Sequence, residues 1–236
     1  MNDPIFDYTL RRGDDALILG RHLSAWCGHA PSLEVDLGLS NLALDLVGQA
    51  TDFFDLAGKI ESRGRDADTL AFRREPPDTF NCKLVDQPNG DFAQTLARQF
   101  LYSNWQVLFL EALSGSAHKG LADIAAKSVR DVAYHVDFTT QWMIRLGDGA
   151  CLSHQRLVKS LEALWGFTPE LFAMDALDKE LLARNIAVDK PSLKLEYNAR
   201  IQATLHDAGL TLPAAKPAPK KAMHFHSRDH DVRWGF

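Results

Sequence analysis

The sequence has little cysteine and no long uncharged apolar run. Its three cysteines, Cys27, Cys82 and Cys151, are an odd number at wide spacing, which argues against a disulfide framework and against a Cys-x-x-Cys metal site. The N-terminus lacks a basic segment followed by an apolar stretch of signal length, and no uncharged run approaches the roughly 20 residues of a membrane span. These absences predict a cytoplasmic protein with free thiols and no membrane partner.

Positive charge is also in deficit. The 236 residues include 26 Lys and Arg against 31 Asp and Glu, a formal net charge of -5, and the pI is near 6.0. Binding to nucleic-acid phosphates needs a clustered excess of basic residues, whereas both signs are interspersed here. We therefore expect no nucleic-acid partner, and a protein or small molecule instead.

The common catalytic motifs are missing as well. The sequence contains no Gly-x-Ser-x-Gly of a nucleophile elbow, no phosphate-binding glycine loop and no Gly-x-Gly-x-x-Gly of a dinucleotide site. We therefore predict no catalytic residue in this chain.

What the sequence does contain is apolar residues at intervals of three and four, which predict helices. Four long helices joined mostly by short links are typical of an antiparallel four-helix bundle. The predicted fold class is all-α, with additional helices C-terminal to the bundle. The long helices are expected at 5–26, 33–60, 91–113 and 121–146, and Asp91 is expected to be the N-cap of the third. Shorter helices are expected at 153–165, from 168 with Pro169 in the first turn, at 178–185 and at 190–208.

Two segments lack this periodicity. Residues 63–91 contain Pro76, Pro77 and Pro88, and a connection of this length in a compact domain is usually functional or strapped across a surface. From Pro213 a segment rich in proline and lysine predicts an extended spacer. We expect one helical domain over residues 1–212 and a C-terminal tail over 213–236.

The second predicted helix has an apolar and a polar face. On its apolar face, Leu37, Leu44, Val47 and Phe54 are expected to be buried. Its polar residues fall within about a quarter of the circumference and are expected to form a solvated stripe. They are Glu34, Asn41, Asp45, Gln49, Asp52 and Lys59.

The third predicted helix is dense in aromatic residues. Aromatic side chains suit a large, obligate protein interface as well as core packing, and both interpretations remain open at this point. The residues are Phe92, Phe100, Tyr102, Trp105 and Phe109.

Asp131 and His135 place an acid and an imidazole inside an otherwise apolar helix. Four residues apart, they lie on one helix face about one turn from each other, where they could share a metal or bond to each other. A di-iron centre in a four-helix bundle needs four carboxylates and two imidazoles, with two Glu-x-x-His pairs. No Glu-x-x-His or Asp-x-x-His occurs in the chain, and no Asp, Glu or His lies between Phe92 and Leu110.

The second helix adds only one candidate ligand, Asp45, and Gly48 stands where a histidine would be expected. Asp45, Asp131 and His135 are too few to hold two irons. The favoured interpretation is a hydrogen-bonded or salt-bridged pair of Asp131 with His135. The alternative is a metal-binding oxygenase or iron-binding protein that uses Asp45, Asp131 and His135.

The remaining candidate ligands have ordinary explanations. Asp14, Asp15 and His22 of the first predicted helix are expected to be cap and surface residues. In the polar C-terminal tail, three histidines could collect a transition metal, although binding nothing specific is the favoured interpretation. They are His224, His226 and His230.

Several blocks of residues resemble a known family. The first are Trp26-Cys-Gly-His-Ala-Pro31, a block that begins Glu34-Val-Asp-Leu, and Asn41-Leu-Ala-Leu-Asp-Leu-Val-Gly-Gln-Ala50. Further blocks follow in the same order, at 68–73, 87–92, 97–99, 134–135, 161–165 and 168–172. Over about residues 8–213 the chain closely resembles the PaaC family, a family of subunits of the bacterial phenylacetyl-CoA epoxidase.

The resemblance implies a ferritin-like bundle that is related to the catalytic subunit PaaA but has lost its iron ligands. Asp45, Gly48, Asp131 and His135 would then be degenerate former metal-site positions, and the chain would carry no metal and no cofactor. The resemblance also implies a heterodimer with PaaA, which holds the di-iron centre, within a higher oligomer that includes a reductase subunit. The complex would use NADPH and O2 to epoxidise the aromatic ring of phenylacetyl-CoA during aerobic phenylacetate breakdown.

The tail departs from the family pattern. The family has a Gly-Lys-Lys-Gly-like turn followed by a final helix, whereas Lys220 and Lys221 lack the flanking glycines here. These two lysines could contact the phosphates of coenzyme A, or form a solvated charge pair.

Overall fold

The computed structural model describes residues 3–75 and 78–214, and within these ranges every regular element is a helix. The all-α prediction is confirmed, and the arrangement is that of a ferritin-like bundle with further helices after it. The α-helices are α1 (Pro4–Ser24), α2 (Leu33–Glu61), α3 (Ala67–Phe72), α4 (Phe92–Leu113), α5 (Lys119–Gly147), α6 (Cys151–Leu164), α7 (Ala176–Ala183) and α8 (Lys194–Asp207).

Helices α1 and α2 form an antiparallel pair. Gly20, near the end of α1, packs on Val47, whereas Gly13, two turns earlier, packs on Phe54 further along α2. A Cβ added at Gly13 would lie 2.5 Å from the Phe54 ring, so the absence of a side chain there lets the two helices approach closely.

Helix α5 runs antiparallel to α2. Gly38 lies against Phe138 near one end of the contact, and Lys127 forms an ion pair of 2.6 Å with Asp52 at a later turn of α2. Helix α4 packs along α5 and completes the four long helices.

Helix α4 is the centre of the hydrophobic core. Every residue from 95 to 110 is buried, on all sides of the helix, because α5, α6 and α8 pack against it and α1 and α2 contact it from within the bundle. Asp91 is its N-cap, as predicted, and accepts a hydrogen bond of 3.0 Å from the Gln94 N–H. Of its aromatic residues, Phe100, Tyr102, Trp105 and Phe109 are core residues. The aromatic density therefore does not form an outer interface.

The predicted faces of α2 were partly wrong. Phe54 is buried, but Leu37, Leu44 and Val47 are 57%, 69% and 39% exposed. Gln49, expected in the solvated stripe, is buried. The helix carries a second apolar row that faces the core instead, and hydrophobic periodicity alone cannot choose between two such rows. The second row comprises Val35, Leu39, Leu42, Leu46 and Phe53.

The connection between α2 and α4, residues 62–75 and 78–91, is held against α1 by hydrogen bonds to two carboxylates of α1 and is called the strapped connection below. Arg74 donates hydrogen bonds to both carboxylate oxygens of Asp14, which also accepts from the Phe80 N–H at 2.9 Å. Asp15 accepts from the Cys82 N–H at 2.7 Å. Both aspartates are 1% exposed, so the expectation that they are cap and surface residues is wrong. The connection also contains α3, which the sequence did not predict.

One C-terminal helix begins earlier than predicted and is of a different type. Pro169 was expected in the first turn of a helix beginning near Thr168, but it lies inside a 3-10 helix over Trp165–Phe172 that continues directly from α6. A second 3-10 helix, Lys190–Leu193, leads into α8. Residues 215–236 lie outside the described residues.

Candidate functional site

His135 bonds across the bundle rather than along its own helix. Its Nε2 lies 3.1 Å from Oδ2 of Asp45 on α2. The imidazole is fully buried, whereas the Asp45 side chain is 33% exposed. The favoured pairing of Asp131 with His135 is therefore wrong. Asp131 is only half-buried and makes no hydrogen bond or ion pair with the described residues.

Beyond this pair, the interior of the bundle is lined by neutral amides. Gln106 of α4 donates a hydrogen bond of 2.9 Å from Nε2 to Oε1 of Gln49, one turn after Asp45 on α2. Several buried polar atoms have no hydrogen-bond partner among the described residues. They include Gln49 Nε2, Gln106 Oε1, both amide atoms of Gln99, and His135 Nδ1. Buried polar atoms of this kind usually bind ordered water.

These residues do not fit a di-iron centre. Two irons in a helix bundle need four carboxylates and two imidazoles, and within residues 3–75 and 78–214 no three His, Cys, Asp or Glu side chains lie together as metal ligands. The structure brings Asp45 and His135 together but not Asp131. Gly48 is exposed, with open space where a Cβ would lie.

An exposed apolar stripe runs along α2 beside the Asp45–His135 pair. It consists of Leu33, Leu37, Leu44 and Val47, which are between 39% and 70% exposed. At 100° per residue these four side chains share one face of the helix. Tyr134 of α5 is also 45% exposed, and its ring packs against Phe138 of the same helix. Sequence reasoning missed this surface, because it assigned three of these residues to the core.

A family model described as "Phenylacetic acid catabolic protein" matches residues 1–231. The chain belongs to this family. Its match spans the four bundle helices, the strapped connection and the C-terminal helices.

Among known relatives of this phenylacetic acid catabolic protein is one named as a subunit of the 1,2-phenylacetyl-CoA epoxidase of Escherichia coli (strain K12). The two sequences are 42% identical over 220 residues, which cover 92% of this chain and 88% of the relative.

Two further observations bear on the expected partners of this family member. No helix among the described residues is both long and apolar enough to cross a membrane. Lys220, Lys221 and the histidines His224, His226 and His230 lie outside the described residues, so the suggested contact with coenzyme A stays a prediction.

Proposed function

We propose that this chain is a non-catalytic structural subunit of a phenylacetyl-CoA epoxidase, and that it supports a catalytic di-iron subunit, PaaA. The observation that carries the proposal is the exposed apolar stripe of α2, on a bundle whose interior, among the described residues, lacks the carboxylates of a di-iron site. The relative of 42% identity, named as an epoxidase subunit, supports it.

The stripe has the chemistry of a protein interface. From Leu33 to Val47 it extends about 21 Å along the helix, at 1.5 Å per residue, and large apolar side chains grouped in this way on a surface mark interaction sites. Asp45, Asp52 and Asp55 lie beside it and are partly or fully exposed. We infer that PaaA covers the stripe with an apolar centre and a basic rim, since complementary charge around an apolar core is typical of specific interfaces.

In this proposal the chain contributes no reacting group. Its role is to hold the catalytic subunit in its active conformation, within a larger assembly that receives electrons from NADPH through a reductase subunit. Epoxidation of the aromatic ring of phenylacetyl-CoA would take place in PaaA.

Substitutions on the stripe test the interface. We expect Leu44→Asp and Leu37→Asp to abolish co-purification with PaaA, because a charge in an apolar interface is buried without a partner. The matched control is Leu195→Asp on α8, at a leucine that is 84% exposed and far from the stripe along the chain. Normal assembly of both stripe variants would overturn the choice of surface, and full epoxidase activity of PaaA alone would overturn the structural role.

Iron analysis distinguishes the proposal from the alternative of a metal-binding oxygenase that uses Asp45, Asp131 and His135. We expect the chain, expressed alone in iron-replete cells, to contain close to no iron. A content near two irons per chain, lost in His135→Ala, would support the alternative and reopen an enzymatic role.

A further inference from the structure

Gly48 lies in the middle of α2, where a glycine is unfavourable. Glycine loses more backbone freedom on folding than alanine does, so it destabilises the interior of a helix. Gly48 is exposed, and a Cβ added to it would meet no atom of the described residues within 4 Å. No contact among the described residues therefore requires a glycine at this position.

The other six glycines of the α-helices each lie against another part of the chain. At every one of them, an added Cβ would come no more than 3.2 Å from a neighbouring atom. They are Gly13, Gly20, Gly38, Gly58, Gly120 and Gly147. In these α-helices a glycine thus marks the place where another segment approaches closely, and Gly48 is the exception.

Four of these glycines receive an apolar side chain from the helix that packs beside them. Two such contacts join α1 to α2, and two join α2 to α5. Because the distance between two packed helices depends on the side chains at the contact, each glycine makes room for the large side chain opposite it. The four contacts are Gly13 with Phe54, Gly20 with Val47, Gly38 with Phe138, and Gly120 with Leu56.

Gly48 belongs to the same face of α2 as the exposed apolar stripe. It lies one turn after Leu44 and about 40° from it around the helix, at 100° per residue. The exposed hydroxyl of Thr51 already donates a hydrogen bond of 2.9 Å to the Val47 carbonyl. The backbone in the middle of a helix is bonded within the helix, so this face offers no edge on which an extended strand could pair.

We propose that the subunit which covers the stripe does so with an α-helix that runs along α2, and that a large apolar side chain of this helix packs on Gly48. The inference rests on the proposed function, because it takes PaaA as the subunit that provides the helix. A helix presents apolar side chains every three or four residues, which matches the spacing of the stripe. A basic residue on the same helix would pair with Asp55, which is exposed and makes no ion pair among the described residues.

Two substitutions of Gly48 test the close approach, because they should act in opposite directions on the isolated chain and on the complex. In the isolated chain, Gly48→Ala and Gly48→Leu should each raise the Tm by about 1–4 °C, since the new side chain enters open space. In the complex, Gly48→Leu should weaken binding to PaaA by about 10-fold or more, and Gly48→Ala by less, since the added volume displaces the side chain of the partner.

Competition between each variant and a tagged parent chain for co-expressed PaaA measures the change in binding. The matched control is Ala203→Leu, at an exposed alanine of α8, which should leave binding unchanged. Normal binding of Gly48→Leu, or a lower Tm of this variant alone, would overturn the inference and leave the proposed function standing. Lack of binding by the parent chain would refute the proposed function, and the inference with it.

Photo-crosslinking tests whether the covering element is a helix. The photoreactive amino acid benzoylphenylalanine is placed in turn at Leu37, Leu44 and Thr51, which lie about 10 Å apart in succession along α2. Mass spectrometry then identifies the residues of PaaA that each position captures. On a helix the captured sites should advance by about seven residues per step, whereas on an extended strand they would advance by about three. Steps of about three residues, or capture of unrelated segments, would overturn the proposed helix.

Discussion

The bundle centre and the charged cavity are two polar regions of this protein, and they satisfy their polar groups differently. In the centre, Gln49 bonds to Gln106, and the acid that bonds to the buried imidazole of His135 is Asp45, which reaches solvent. In the charged cavity of about 440 Å³ that Arg12, Glu170 and Lys190 line, there are three ion pairs, and Glu170 has no ion pair among the described residues. Charge is thus concentrated away from the place where a di-iron bundle carries its carboxylates.

The largest expected effect concerns the ion pair beside the cavity, in which Arg74 is 5% and Asp14 is 1% exposed. Arg74→Met should lower the free energy of unfolding by about 3–5 kcal/mol, because it leaves a buried carboxylate without its counter-charge. Urea unfolding measures the difference. Arg63→Met, at a side chain that is 66% exposed, is the control and should stay within about 0.5 kcal/mol. A small effect of Arg74→Met would mean that water already reaches Asp14.

The next effect compares the two apolar rows of α2. Leu46 is fully buried and Leu44 is 69% exposed. Leu46→Ala should cost about 2–5 kcal/mol of stability through lost burial and a residual cavity, whereas Leu44→Ala should cost about 0.5 kcal/mol or less. Denaturant unfolding of the isolated chain measures both. Equal losses would contradict the assignment of the Leu44 row to the surface.

A smaller effect separates the two acids near the bundle centre. Asp45→Ala removes the partner of His135 Nε2 and should cost about 1–3 kcal/mol, the range for leaving a buried polar group unpaired. Asp131→Ala removes no hydrogen bond among the described residues and should be nearly neutral. Thermal unfolding of both variants is the measurement, and a larger loss for Asp131→Ala would restore the pairing predicted from the sequence.

The smallest expected effect is a pH dependence of the folding stability that is caused by Glu170, which lines the cavity. Because the pKa of Glu170 is raised in the folded chain, the unfolded chain releases this proton first as the pH rises above the ordinary glutamate value. Glu170 therefore lowers the stability as the pH rises from that value to its folded pKa. Glu170→Gln should be more stable than the parent chain at neutral pH, and the gain should vanish near pH 4, roughly the pKa of free glutamate. A gain that does not change with pH would point to a cause other than ionisation.

The sequence predicted what depends on neighbours along the chain. The four long helices and the Asp91 cap follow from local periodicity and capping, and the structure confirms them. What it could not predict depends on distant contacts. Asp14 and Asp15 are buried because Arg74, Phe80 and Cys82, 60 to 67 residues away, bond to them.

In the candidate site, too, local patterns could be predicted and distant contacts could not. The absence of Glu-x-x-His was visible in the sequence, because it is a local pattern. The partner of His135 was not, since Asp45 lies 90 residues away on another helix. Likewise, the exposed row of α2 differs from the buried row only in what packs against it.

The burial of α4 on all sides has a consequence for biosynthesis. The helices α5, α6 and α8, which pack along α4, follow it in the chain, whereas α1 and α2, which contact it through Arg12 and Gln49, precede it. A growing polypeptide therefore exposes the side of α4 that α5, α6 and α8 cover until about 95 further residues, through residue 207 at the end of α8, have been made. At 5–20 residues per second this takes roughly 5–20 seconds. During that time this apolar side of α4 is open to contacts with other apolar surfaces.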